Sequence, residues 1–167
     1  MKKAVWSGAI AAAVVLLGSS SAFAQQTAGA SIAVTAHVDA KAKLSLSLSS
    51  INWLDADPDL TPTFSSGAIT VDVKARTSAG GAVTVTVLAD GDLTSGSDTI
   101  PVNTLTWTAT GAGFTANGAN NFTTAQMLGS WTNSGNHNGT QTLSLPNSWS
   151  YRTGTYTATL NYTLTAP

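Results

Sequence analysis

A two-residue period governs this chain. From Ile32 to Leu48 every even position is apolar: Ile32, Val34, Ala36, Val38, Ala40, Ala42, Leu44, Leu46 and Leu48. The odd positions are mostly polar, from Ser31, Thr35, His37 and Asp39 to Lys41, Lys43, Ser45 and Ser47. Side chains alternate between faces along a strand, so the pattern specifies a half-buried β-strand rather than a helix. At ~3.3 Å per residue, a strand over 32–48 would span roughly 55 Å. A domain of this size has a radius of gyration of about 14.5 Å and a diameter near 37 Å. One straight strand would overrun its own body. Two outcomes fit. The strand bends near Asp39–Lys43 and switches sheets, or its first half, Ser31 to Ala40, leaves the domain and pairs with a neighbouring molecule. The small residues Ala36, Ala40 and Ala42 permit either.

The same period recurs downstream. Ile69, Val71, Val73 and Ala75 alternate with Thr70, Asp72, Lys74 and Arg76; Val83, Val85 and Val87 with Thr84 and Thr86. Leu105, Trp107 and Ala109 are in phase, as are Tyr156, Ala158, Leu160, Tyr162 and Leu164, and "QTLSL" (141–145) is a shorter run. These runs are rich in β-branched and aromatic residues, as strands are. "SAGG" (78–81) and "ADGD" (89–92) read as turns. "TTAQML" (123–128) is the only stretch that suggests a helical turn. The expectation is an all-β fold: a single Ig-like antiparallel β-sandwich of about seven strands with a long N-terminal strand.

The ends and the composition bound what such a domain does. "MKK", an apolar stretch from Ala4 to Leu17 and the small-x-small site "AFA" (22–24) form a secretory signal, with cleavage expected after Ala24. No later segment approaches the roughly 20 apolar residues of a membrane helix. The organisation expected is a signal peptide over 1–24, an N-terminal extension or candidate donor strand over 25–40, and the sandwich over 41–167. The protein is expected to be exported through a bacterial inner membrane to the periplasm, then to the cell surface or medium. There is no cysteine, so packing and sheet hydrogen bonds must hold the fold. Only 9% of residues are charged, and glutamate is absent. Without Lys2 and Lys3, five basic residues stand against eight acidic ones, a net charge of −3. That balance disfavours nucleic acid or an anionic membrane as partner.

The layout resembles bacterial pilin-like subunits, in particular archaic chaperone–usher pilins with spore coat protein U-like domains. The signal is followed directly by the alternating "ASIAVTAHVDAKAKLSLS". A Thr/Gly/Asn-rich sandwich of matching length comes next, and the chain closes on "GTYTATLNYTLTAP" (154–167). The resemblance implies an incomplete sandwich that is completed by the N-terminal donor strand of another copy, with a periplasmic chaperone and an outer-membrane usher as partners. Ile32, Val34, Ala36 and Val38 would be the donor-strand knobs. Such pilins commonly carry a cysteine where the first strand ends; this chain has "AKLSLS" there. The tail "LNYTLTAP" is also similar to the ending of WxL surface domains, with Tyr162 where they have a Trp.

Catalysis finds little footing, and no cofactor is expected. His37 lies on the polar face of the leading strand and His137 in the turn-like "NSGNHNG"; no nucleophile motif surrounds either. The alternating carboxylates Asp55, Asp57 and Asp59 of "DADPD" could aim oxygens at one calcium ion, although Asp beside Pro58 also makes turns. Asp90 and Asp92 offer a thinner version. Trp53 and Trp107 are in phase with core positions, whereas Trp131, Trp149 and Tyr151 are candidates for stacking on sugar. The reading is a noncatalytic structural subunit of a surface filament. The alternative is a monomeric carbohydrate- or cell-wall-binding module.

Overall fold

The computed structural model describes residues 29–116, 122 and 124–167. The expected signal peptide and cleavage site lie outside them. Met1–Ala36 and His37–Pro167 separate into two units. In the first, the described residues 29–36 form no strand and are exposed.

The second unit is an all-β, antiparallel, sandwich-like body. Its strands are β1 (Lys41–Leu46), β2 (Thr63–Ser65), β3 (Ile69–Arg76), β4 (Ala82–Ala89), β5 (Leu93–Ser95), β6 (Asp98–Ile100), β7 (Thr106–Thr110), β8 (Gln126–Thr132), β9 (Gly135–Pro146) and β10 (Leu160–Thr165). One sheet is built on β9. Gln141 is flanked by Ile69 and Ala109, and Ser144 by Ser65 and Thr106, so β2 and β3 line one edge of β9 and β7 the other. Ser66 bridges the interruption between β2 and β3: its N–H donates to Leu143 O and its Oγ accepts from Leu143 N–H, both at 2.9 Å. β1 completes this sheet outside β3. The second sheet has the order β10-β4-β8, and β5–β6 form a small hairpin.

The alternation of the sequence becomes the core. Val71 and Val73 of β3, Val83, Val85 and Val87 of β4, and Trp107, Phe122, Leu128 and Leu143 are fully buried in one apolar cluster. Each fully buried Val or Leu side chain contributes about 1.5–3 kcal/mol of transfer free energy. Trp107 lies 5.1 Å from Phe122 between ring centroids, and its indole N–H donates to Thr115 O at 2.9 Å.

Three expectations are corrected. The long N-terminal strand is not formed: residues 29–40 carry no strand and β1 begins at Lys41. Its partner supplies the reason. Lys41 faces Arg76, the last residue of β3, and beyond it the chain turns through 78–81. Of "TTAQML", Thr123 lies outside the described residues, and Thr124–Leu128 form no helical turn: Gln126–Leu128 open β8. The "NSGNHNG" segment is not a loop around His137; it forms the turn and the first half of β9, with His137 opposite Val73.

Candidate functional site

The two sheets are joined unequally along their two seams. On the β7/β8 side, chain leaving β7 crosses to the other sheet. Ser130 N–H donates to Gly113 O at 3.0 Å, Thr115 N–H to Leu128 O at 2.8 Å, and Phe114 bridges to Gly129. On the other side, among the described residues, β1 pairs only with β3 and β10 only with β4. β1 and β10 approach within 8 Å between Cα atoms, yet among the described residues no hydrogen bond joins them. β10 therefore presents a free backbone edge, as does β1.

Side-chain burial follows this asymmetry. The inward residues of β4 are buried, whereas Leu160, Tyr162 and Leu164 of β10 are half-buried, as are Leu44 and Leu46 of β1. These residues pack on the core cluster while remaining partly open to solvent. At the middle of β10, Tyr162 reaches across the sandwich, and its Oη donates to Gln141 Oε1 at 2.7 Å. Burial pushes the Tyr162 phenol up to about 12. Gln141 is fully buried, and its Nε2 has no hydrogen-bond partner among the described residues.

The proposed knobs lie outside any sheet. Ile32 is 89% exposed, Val34 88% and Val38 65%, and Ala36 is exposed as well. Apolar side chains this exposed at every second residue form a strand pattern without a strand.

The chain matches no protein-family model and no curated protein.

The three sugar-stacking candidates do not share a face. Trp131 sits in β8, near the Gly135 end of β9; Trp149 follows the Pro146 end. The eleven steps between the twelve residues of β9, at ~3.3 Å each, set those ends roughly 36 Å apart. The faces of Trp131 are also occupied. His137 stacks on it at 4.5 Å with 9° between planes, Phe114 meets it edge-on at 4.9 Å, and a Cβ at Gly129 would fall 2.3 Å from its ring. Its indole N–H donates to Ala112 O at 2.7 Å. Tyr151 is half-buried against the core. Only Trp149 is open, at 70% exposure, with its N–H on Asp59 Oδ1 at 3.2 Å.

The carboxylates considered for calcium serve their own loops. Among the described residues no three carboxylate or imidazole groups come together to hold a metal. Asp57 Oδ1 accepts the Asp59 N–H at 2.9 Å, an Asx-turn, and Asp59 turns to Trp149. Asn147 holds this loop, donating to Ala56 O at 2.9 Å and Thr61 O at 3.0 Å. Asp90 and Asp92 likewise serve the backbone. Asp90 Oδ1 accepts from Thr159 N–H at 2.8 Å, which holds its carboxyl below the usual range, and Asp92 accepts from Val102 N–H at 2.8 Å. Of the histidines, exposed His37 lies 2.9 Å from Asp39, and His137 is stacked inside the aromatic cluster.

The pilin resemblance implied an incomplete sandwich, but sequence reasoning did not place the gap between β1 and β10; which edges remain free depends on pairing, which no local pattern encodes.

Proposed function

We propose that the protein is an exported, noncatalytic structural subunit of a bacterial surface filament. Each copy lends residues 31–38 to the β1/β10 seam of the next. The observation that carries this reading is the coexistence of two unsatisfied halves in one chain. One is a free β10 edge above half-buried Leu160, Tyr162 and Leu164; the other is an exposed, alternating, strandless segment. Backbone hydrogen bonds along β10 would supply affinity, and Ile32, Val34, Ala36 and Val38 would cover the open side of the core. A strand inserted between two edges needs about 9.6 Å, twice the usual spacing, so β1 and β10 part slightly on insertion. The resemblance to chaperone–usher pilins makes a periplasmic chaperone and an outer-membrane usher the expected helpers.

The test is assembly of the full chain, expressed in bacteria and recovered as the cell processes it. The wild type should form polymers visible by electron microscopy and by sedimentation. A variant lacking residues 29–38 should melt like the wild type but stay monomeric. Polymers formed equally well by the deletion variant would refute the reading.

A further inference from the structure

Four of the five basic residues in the described chain stand in one block. Across the β1–β3 ladder Lys41 faces Arg76 and Lys43 faces Lys74, and all four are exposed on one face of the sheet. Like charges placed directly opposite one another destabilise a sheet. None of the four is in an ion pair among the described residues, where the pairs are His37–Asp39 and Arg152–Asp98; Asp72 comes next along the face, opposite Ser45, and Asp39 and Pro167 line a hollow with Arg76. Four cations against these few neighbouring carboxylates leave the end of the ladder with an excess of positive charge.

The complement sits at the other end. β1 runs from Lys41 toward Leu46, and the chain then enters the 47–62 loop, which is tied by Asn147 to the far end of β9. That loop carries Asp55, Asp57 and Asp59, all exposed and none in an ion pair among the described residues. Leu54, Leu60 and the neighbouring Trp149 are also strongly exposed. Apolar side chains interleaved with charges have the composition of a contact surface, an apolar centre with a polar rim.

We propose that the Lys41/Lys43/Lys74/Arg76 block of one copy docks end to end on the Asp55–Asp59 loop of the next. This rests on the filament reading for its geometry. A leader leaves its own body at the Lys41 end. Lying antiparallel on the neighbour's β10, it ends beside Leu160, at the same end of the acceptor as the acidic loop. Donor and acceptor thus meet with opposite charges facing, which fixes head-to-tail order and repels head-to-head encounters.

The experiment follows assembly of the full chain by sedimentation. Raising ionic strength from about 0.1 to 1 M shrinks the screening length from about 10 to 3 Å and should raise the concentration needed for assembly about tenfold. The double variants K41E/K43E and D55K/D59K should each show a similar rise, and the four-fold charge swap should recover assembly to within about threefold of wild type. Lys43→Gln gives the same direction at smaller amplitude if a reversal fails to melt cooperatively. Salt-insensitive assembly, with both double variants behaving as wild type while the leader deletion stays monomeric, overturns the end contact and leaves the filament reading standing. A wild type that is monomeric at every salt concentration overturns both.

Discussion

Tyr162 and Gln141 are joined by a 2.7 Å hydrogen bond that crosses from one sheet to the other at the middle of the open seam. Substituting Tyr162 by Phe removes the donor and leaves Gln141 Oε1 buried without it. The expected loss is about 1–3 kcal/mol at neutral pH, read from urea unfolding. The pH dependence has a definite sign. The folded phenol titrates near 12, above its unfolded value near 10, so its contribution is complete below pH 10 and disappears as pH rises toward 12. The wild type should lose stability relative to Tyr162→Phe across that window and not below it.

Trp131 and Trp149 should respond oppositely to truncation. Trp131 is enclosed by His137, Phe114 and Gly129, so Trp131→Ala should cost about 3 kcal/mol. Trp149 is open to solvent, and Trp149→Ala should stay within about 0.5 kcal/mol of wild type. Chemical denaturation of the two variants checks both.

Gly113 combines a φ of +82° with a site where a Cβ would lie 2.2 Å from Trp131 Nε1 and 2.8 Å from Ser130 O. Gly113→Ala should therefore cost about 1–3 kcal/mol from backbone strain, plus displacement of the Trp131 ring. Calorimetry gives the first, and the change in Trp fluorescence reports the second.

Asn147→Ala removes both amide bonds to the acidic loop. Stability should fall by about 1–3 kcal/mol. Limited proteolysis should move to residues 53–62, which the amide otherwise clasps.

Val34→Asp probes the leader without touching the body. Val34 is 88% exposed, so melting should shift by less than about 0.5 kcal/mol equivalent. Filament formation, by contrast, should be lost, because the substitution sets a carboxylate against the apolar seam. Electron microscopy beside a melting curve separates the two effects.

The body was legible wherever inward side chains fill their own space. β3 runs from Ile69 to Arg76 as its alternation implies, and Trp107 lies in the core. Legibility failed where a neighbour fills the space instead. The inward positions of early β9 are Gly135, His137 and Gly139; Phe114 occupies the room above Gly139, so no apolar run marks the strand. Opposite Val85/Thr86 the β8 register slips, and Leu128 and Gly129 are buried in succession, which erases the two-residue period. In residues 31–40 the alternation is plain, yet these residues carry no strand, because alternation alone does not supply a pairing edge. Likewise the carboxylates of 55–59 were visible as residues, whereas their use within a turn and against Trp149 depends on the fold.

The six facing pairs from Lys41–Arg76 to Leu46–Val71 also have a mechanical meaning. Bonds of an antiparallel ladder lie across the strands. A tug on residue 40 along the strand direction therefore strains the whole ladder at once instead of peeling it bond by bond. A body anchored in this way behaves as a tether, and force spectroscopy should find it hardest to rupture when stretched from the leader.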